Sequence, residues 1–272
     1  MKIKNKNLDL STGVVMGILN VNDNSFYDGG KYRNNSEIIK QVEKMTSEGA
    51  SIIDIGAQSS KPGSEPIPEK EELNKLSNTI YLIKKYFPEI IISIDTYRSN
   101  IAEVSINNGA DMINDISGGN LDKNMFNIIA KYNIPYIMMH MQGIPKNMQE
   151  KPRYNNIIEE IISFFKFKLD QLERLGANKI IIDPGIGFGK TMEHNYHIIK
   201  NLRKFLDLKK PILMGVSRKS LISKPLNIHP NNSLNGTTII NTLCLKNGAS
   251  ILRVHDVKEA IECIKIINLV KK

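Results

Sequence analysis

The sequence of 272 residues predicts an α/β fold, a closed (β/α)8 (TIM) barrel with a parallel eight-stranded sheet inside outer helices. Short, β-rich apolar runs recur along the chain, and each is followed by a segment with helical periodicity. The runs are almost continuously apolar, as a sheet covered on both faces requires. Eight such units in about 250 residues match a closed barrel better than an open, doubly wound sheet.

The predicted strands are 14–20, 51–56, 90–95, 112–117, 136–140, 179–183, 211–217 and 250–255. A Gly-Ala pair recurs just ahead of a strand, at Gly49, Gly109, Gly176 and Gly248. Glycine at the end of a helix favours a left-handed turn, so each pair is expected to end a helix. Residues 1–13 precede the first strand and are expected to cover the bottom of the barrel. Because no linker is visible, residues 1–272 are predicted to form one domain.

The composition excludes several classes of protein. The net charge is +9, which would suit an anionic partner, but the lysines are spread over the whole chain. No basic stripe interleaved with aromatic residues is present, so a nucleic-acid partner is not expected. The N-terminus lacks the apolar core of a signal peptide, and no run approaches the roughly 20 apolar residues of a membrane span. A cytoplasmic protein is therefore predicted, with Cys244 and Cys263 as buried free thiols.

Polar residues collect at the carboxyl ends of the predicted strands, where barrels of this kind carry their active sites. They are Asn20, Asp95, Asn114 with Asp115, His140, Asp183, Ser217 to Lys219, and Arg253 with His255. An unpaired carboxylate after an Ile-rich strand would be costly. Asp95 and Asp183 should therefore either pair with Arg or Lys, or bind a ligand rich in donors. Asn114 offers both an acceptor and two donors, which suits the edge of a heterocycle.

Basic residues are expected beside these acids. Arg253 and His255 are two apart on a strand and share one face, which suits an anion clamp, although a lone Arg at a strand end more often makes a rim salt bridge. Lys219 lies at a predicted helix start, where amides are free. These three residues would form a cationic floor.

Two other features carry less functional information. The run D-P-G-I-G-F-G-K, 183–190, lacks the spacing of a nucleotide-binding loop, and its glycines would instead let the chain pass close to a flat ligand. His194 and His197 lie beyond it at helical spacing and are expected at the surface. They have no carboxylate partner in zinc-ligand register, so no structural metal site is predicted.

Eight segments resemble the successive signatures of the dihydropteroate synthase family, in that family's order and spacing. They are M-G-I-L-N-V, D-I-G-A-Q-S-S-K-P-G, S-I-D-T-Y-R, I-N-D-I-S-G-G, M-M-H-M-Q-G, D-P-G-I-G-F-G-K, G-V-S-R-K-S and R-V-H-D-V. The resemblance implies a transferase of folate biosynthesis. Such an enzyme condenses 6-hydroxymethyl-7,8-dihydropterin diphosphate with 4-aminobenzoate, giving 7,8-dihydropteroate and diphosphate. It also implies a cytoplasmic homodimer.

The resemblance further implies a role for each site residue. Asp95, Asn114 and Asp183 would recognise the amino-pyrimidine edge of the pterin, with Lys219 along the ring and Arg253 packed from another side. Asn20, His255 and Arg253 would hold the diphosphate, with Mg2+ bridging its oxygens and the carbonyl oxygen of Asn20. The aminobenzoate would approach Ser220, flanked by Phe188 and the loop 59–63. The implied substrate contacts also include Ser60, Met139 and Gly187, and the implied catalytic group is Asn20, Lys61, Lys219, Arg253 and His255.

The sequence departs from the family pattern in two loops. Ser60 and Lys61 replace Thr and Arg, and Lys loses the planar fork that suits phosphate. Asn22, Asp23 and Asn24 replace Thr-Pro-Asp in the first loop, where Phe26 is expected to help cover the aminobenzoate site. Two alternatives therefore stay open: a methyltetrahydrofolate-binding methyltransferase barrel, and a pterin-binding paralogue with impaired catalysis.

Overall fold

The computed structural model describes residues 1–3, 5–21, 35–58 and 63–270. Its strands are β1 Lys2–Ile3, β2 Lys6–Asn7, β3 Val14–Asn20, β4 Ile52–Gly56, β5 Ile91–Asp95, β6 Met112–Asp115, β7 Tyr136–Met139, β8 Ile180–Asp183, β9 Leu213–Met214 and β10 Ile251–Val254. Its α-helices are α1 Asn35–Ser47, α2 Glu69–Tyr86, α3 Ser99–Asn107, α4 Met125–Tyr132, α5 Ile157–Arg174, α6 Met192–Lys200, α7 Ser220–Ser223, α8 Leu234–Lys246 and α9 Val257–Val270. The predicted site residues Ser60 and Lys61, and Asn22, Asp23, Asn24 and Phe26 of the first loop, lie outside the described residues.

Eight parallel strands form one sheet, in the order β8-β7-β6-β5-β4-β3-β10-β9. A parallel bridge between Ile182 of β8 and Ile212, just before β9, joins the two ends of this series. The amide of Ile182 also donates to the carbonyl oxygen of Pro211 at 3.0 Å. The sheet is therefore closed and the barrel prediction is confirmed.

All eight predicted barrel strands are present, most of them one or two residues shorter than predicted. The largest difference is β9, which covers two residues of the predicted 211–217. Pro211 has no N–H to donate, so it cannot make the backbone hydrogen bond that would extend β9 toward its N-terminal end. The four Gly-Ala turns form as predicted, with positive φ at each glycine: 105° at Gly49, 110° at Gly109, 84° at Gly176 and 103° at Gly248.

Period-two alternation divides each barrel strand between two environments. Outward residues such as Ile53, Ile92 and Ile113 pack in the large core beneath the helices. Inward residues at the start of the strands form a second apolar cluster, which includes Met16, Ile52, Ile91, Met112, Ile137, Ile181, Leu213 and Ile251. Ile3 and Leu8, from the antiparallel hairpin β1–β2, pack in this second cluster. The interior of the barrel is thus filled at its lower end, which leaves the upper end for polar groups.

The structure also tests the predictions for the two cysteines, for His194 and His197, and for membrane spans. Cys244 and Cys263 are buried free thiols, as predicted, and burial raises the pKa of Cys244 to about 12. His197 is exposed, but His194 is only half-exposed because it forms a capping box with Thr191 at the start of α6. Among the described helices, none has the length and apolar character needed to cross a bilayer.

Candidate active site

The same alternation that fills the lower barrel with apolar groups brings polar groups together at its mouth. Asp54 follows Ile52 on the inward face of β4, and Asp95 and Asn114 are paired in register on β5 and β6. Asp183 is paired with Met139 across β7 and β8. Three predicted acceptors, Asp95, Asn114 and Asp183, therefore share the interior of one barrel.

Arg253, two residues beyond Ile251 on β10, lies at the centre of an ion-pair network. Its Nε donates to Oδ2 of Asp54 at 2.7 Å, and its Nη2 donates to Oδ2 of Asp95 at 2.9 Å. Asn114 Nδ2 donates to the same Asp54 oxygen at 2.9 Å. The Arg253 side chain is only 19% exposed, so it makes an internal pair and not the rim salt bridge that was the alternative.

Asp54 is a site residue that the polar residues at predicted strand ends did not indicate, because it lies within β4. It is completely buried, and its Oδ1 has no hydrogen-bond partner among the described residues. The signal that could have found it is an acid within the Ile-rich run S-I-I-D-I-G, in phase with the inward residue Ile52. Its contacts make it the shared anchor of Arg253 and Asn114.

The two predicted acids have raised pKa values. Burial raises the pKa of Asp95 to about 7, with Arg253 opposing the shift and Asp54 adding to it. Burial also raises the pKa of Asp183, against the attraction of Lys219. Oδ1 of Asp183 accepts from the amide of Gly185 at 2.7 Å, which fixes the carboxylate at the end of β8.

Lys219 extends across the mouth toward the glycine loop 183–190. Its Nζ donates to the carbonyl oxygen of Ile186 at 2.6 Å and lies 4.8 Å from the centre of the Phe188 ring. Burial lowers its pKa to about 8, although Asp183 raises it. At Gly187, where φ is 83°, a Cβ would lie 3.4 Å from Cδ of Lys219. The glycine therefore leaves little more than van der Waals space beside the lysine.

His255 and Ser217 form a pair above β9 and β10. Their Nδ1 and Oγ atoms are 3.0 Å apart, and the His255 amide donates to the same Oγ at 3.2 Å. Burial, aided by Arg218 and Arg253, lowers the pKa of His255 to about 3. The expected cationic floor is thus modified in the folded chain: burial disfavours the protonated form of His255, and Arg253 pairs with Asp54 and Asp95.

An apolar patch lies beside these polar groups. Met139 packs there with Ile116, Met141 and Met148, and Phe188 and Tyr97 contact the same cluster from the edge. Ser220, by contrast, is exposed as the first residue of the short helix α7. Met139 and Phe188 are thus placed to contact a flat ligand from one side of the mouth.

Asn20 lies at the tip of β3, next to Gly56 of β4. A Cβ built on Gly56 would be 3.6 Å from Oδ1 of Asn20 and 3.7 Å from Oδ2 of Asp95. The two oxygens therefore face the same small space above a glycine. Within the described ranges no group of three or more His, Cys, Asp or Glu could hold a metal ion, so any metal here would need ligands from substrate or water.

Asp115, next to Asn114, points away from the mouth. It accepts bonds from the Tyr136 hydroxyl at 2.7 Å, from the amide and hydroxyl of Ser117 at 2.7 Å each, and from the Gly119 amide at 2.8 Å. Every acceptor site on this carboxylate has a structural use. Asn114, one residue earlier, is the member of the pair that faces the mouth.

Comparison with known proteins identifies the family of the chain. The family model of pterin binding enzymes matches residues 16–255. Dihydropteroate synthase of Escherichia coli K12 is 38% identical over 262 residues, covering 96% of this chain and 92% of that protein. Two solved structures of dihydropteroate synthases are also similar. The Yersinia pestis enzyme in a sulfonamide drug complex has a TM-score of 0.96 at 36% identity, covering 100% of this chain and 98% of that one. The Xanthomonas albilineans enzyme with 4-aminobenzoic acid has a TM-score of 0.88 at 30% identity, covering 97% and 95%.

The closed barrel and the family match over residues 16–255 place this chain in the class of pterin-binding barrel enzymes. The high identity over nearly its whole length is to synthases. The chain belongs to the dihydropteroate synthase family, whose activity is that of a transferase in folate biosynthesis. The comparisons therefore favour the synthase prediction over the methyltransferase barrel.

We expect Asp54→Asn to weaken binding of the pterin substrate, with a loss of about 1 to 3 kcal/mol for a charge-assisted bond. An amide at this position keeps the size of the side chain but turns N–H groups toward the donors of Arg253 or Asn114. Calorimetry with a 6-hydroxymethylpterin and the KM for the pterin diphosphate measure the effect. Ser93→Ala is the matched control, because Ser93 is also buried on an inward position and its hydroxyl has no partner among the described residues. Wild-type affinity in Asp54→Asn would contradict the anchoring role.

Proposed function

We propose that the mouth of the barrel condenses 6-hydroxymethyl-7,8-dihydropterin diphosphate with 4-aminobenzoate. The observation that carries this proposal is a group of inward-facing acceptors beside Arg253 and Lys219: the buried Asn114 and Asp183, and Asp95, whose side chain is 11% exposed. Burying a carboxylate at such a position costs free energy unless a ligand or a protein partner supplies hydrogen-bond donors. The amino-pyrimidine edge of a pterin supplies several N–H donors.

Each polar group has a distinct task toward the pterin. The carboxylates of Asp95 and Asp183 accept from ring and exocyclic N–H groups, and Asn114 can both accept and donate. The Lys219 ammonium donates to acceptor atoms on the ring, and the Arg253 guanidinium packs against its face. Met139 supplies the apolar contact. Gly187 lets the backbone approach the ligand, and its close contact with the Lys219 stem supports this role.

The diphosphate lies toward Asn20, Arg253 and His255. The Oγ atom of Ser217 lies 3.0 Å from Nδ1 of His255 and holds the ring beside this region, which supports an imidazole contact with a phosphate oxygen. Oδ1 of Asn20 fits Mg2+, because that ion accepts few protein ligands when phosphates and water complete its shell. When bound, the ion would neutralise charge on the departing diphosphate.

The reaction then needs positioning more than a covalent nucleophile. The C–O bond to the diphosphate breaks, the methylene carbon becomes cationic, and the amine nitrogen of aminobenzoate forms the new C–N bond and loses a proton. Phe188 flanks the aminobenzoate ring, and Ser220 lies near its carboxylate. By family resemblance, Ser60 would contact substrate and Lys61 would contribute charge to catalysis.

We also propose that the protein is a cytoplasmic homodimer made of one domain, residues 1–272. An exposed apolar stripe supports self-association, with Ile239 and Leu243 one turn apart on α8 and Ile266, Leu269 and Val270 on the neighbouring α9. Contiguous exposed apolar surface of this kind marks interaction sites.

Purified protein is expected to release diphosphate and form dihydropteroate only when both substrates and Mg2+ are present. Coupled detection of diphosphate and chromatography of the pterin product provide the measurement. Binding of methyltetrahydrofolate without diphosphate release would instead favour the methyltransferase barrel. Binding of pterin diphosphate with no product at any aminobenzoate concentration would favour the impaired paralogue.

Pterin affinity is expected to rise with pH between 6 and 8. The carboxylate form of Asp95 accepts N–H bonds through both oxygens, whereas protonation turns one oxygen into a donor. The pKa of Asp95 in the free chain is about 7. The ionised fraction of such a group increases about tenfold over that range. The raised pKa of Asp183 acts in the same direction. Calorimetric titration of a 6-hydroxymethylpterin at several pH values tests this, with Asp95→Asn as the variant in which the slope should shrink. A constant wild-type affinity would show that Asp95 is not the titrating acceptor.

Replacing Ile239 and Leu243 together by lysine is expected to convert the dimer to a monomer, because two charges would enter an apolar contact. Sedimentation equilibrium gives the mass of the wild type and the variant. The control replaces Tyr81, an exposed apolar residue on α2, by lysine. A wild-type protein that sediments as a monomer at micromolar concentration would refute the proposed dimer.

A further inference from the structure

Lys190 is a buried amine that none of the proposed steps uses. It ends the glycine loop 183–190 and is 2% exposed. Its Nζ donates to the carbonyl oxygen of Phe188 at 2.9 Å, to the carbonyl oxygen of His140 at 3.2 Å and to Nδ1 of His140 at 3.1 Å. A lysine ammonium has three donors, so all three are used. The amine thus joins the loop after β8 to the segment that follows β7.

The loop lies directly against that segment. A Cβ at Gly185 would lie 1.9 Å from the carbonyl oxygen of His140, and one at Gly189 would lie 2.3 Å from the carbonyl oxygen of Gln142. Both glycines have positive φ, 73° and 60°, so a side chain is excluded by conformation and by space. The Lys190 amine lies in this close seam and bonds to both sides of it.

Two groups that face the ligand depend on the position of this loop. The carbonyl oxygen of Ile186 accepts from Lys219, and the Phe188 ring lies under the same ammonium. A displacement of the loop would move Phe188 directly. It would also release Lys219 from the carbonyl that orients it.

We propose that Lys190 is a positioning residue for the condensation reaction, which holds Phe188 and, through Ile186, Lys219 in place over the mouth of the barrel. This inference rests on the proposed function. It assigns to Lys190 no contact with substrate, and its effect passes through the loop.

The electrostatic surroundings agree with a structural use of the charge. Burial lowers the pKa of Lys190 to about 7, the negative charge of Asp183 raises it, and Lys219 lowers it further. Burial also keeps His140 neutral by lowering its pKa well below the ordinary value, so Nδ1 is available as an acceptor. A polar amine is kept here at a desolvation cost that a methionine of similar length would avoid.

Kinetics of Lys190→Met test the proposal. The variant loses three donors and keeps the length of the side chain, so the KM for 4-aminobenzoate should rise at least fivefold, since Phe188 flanks that ring. Lys168→Met is the control: Lys168 is a half-buried lysine on α5 that lies against the rings of Phe126 and Phe164, on the far side of Phe164 from His140, and its KM values should equal those of the wild type because the bonds of Lys190 are kept. A folded Lys190→Met enzyme with wild-type KM and kcat would overturn the proposal. If Lys190→Met does not fold, Lys190→Gln, which retains two donors, is measured instead under the same criterion.

A spectroscopic measurement separates this proposal from the proposed function. The chain contains no tryptophan, so Phe188→Trp places a single indole on the loop. Adding Lys190→Met to this background should shift the emission to longer wavelength and increase quenching by acrylamide, whereas adding Lys168→Met should change neither. Unchanged emission and quenching would overturn the positioning role even if the enzyme is active. A shift in a protein without synthase activity would sustain the loop contact and refute only the reaction.

Discussion

The arrangement of polar side chains at the mouth of the barrel depends on one buried guanidinium group. Arg253 of β10 reaches Asp54 of β4 and Asp95 of β5, so a single side chain connects strands that are not neighbours in the sheet. Removal of one partner from such a network leaves an uncompensated charge, which costs several kcal/mol. The network also prepares acceptors for a ligand, since two carboxylates share one cation and one of them, Asp95, has a pKa near 7. The contacts that stabilise the barrel are therefore the ones on which the proposed ligand recognition depends.

Much of this arrangement is visible in the sequence because a barrel has strong periodicities. The eight apolar runs and the four glycine turns predicted the strands, and the strand ends predicted that Asp95, Asn114, Asp183 and Arg253 would meet. Asp54 was not predicted because it lies within β4, and the prediction took polar residues from the ends of strands. The neutral state of His255 also could not be predicted, since it arises from burial beside Arg218 and Arg253, which only the folded chain brings together. Which residues contact which substrate atoms is still a prediction.

The net charge of the whole chain differs in sign balance from the charges at the mouth of the barrel. The chain carries a net charge of +9, which attracts anions over long distances. Within the mouth, however, Arg253 and Lys219 face Asp54, Asp95 and Asp183, so the excess of positive charge does not extend into the pocket. A long-range attraction for phosphate can therefore coexist with a pocket floor that selects N–H donors. On β6, Asn114 faces the mouth, where the proposed ligand would contact it, whereas the next residue, Asp115, faces outward and bonds to Tyr136, Ser117 and Gly119.

The closure of the barrel is uneven around its circumference. Five pairs of residues are in register between β3 and β4, whereas a single bridge, Ile182 to Ile212, joins the end of β8 to the chain before β9. Local opening should have its lowest free energy where so few ladder bonds resist it. Asp183 and Lys219 stand on opposite sides of this junction. A ligand held by both would be linked thermodynamically to barrel closure, so occupancy of the pocket would slow amide exchange at the seam before it changed the rest of the sheet.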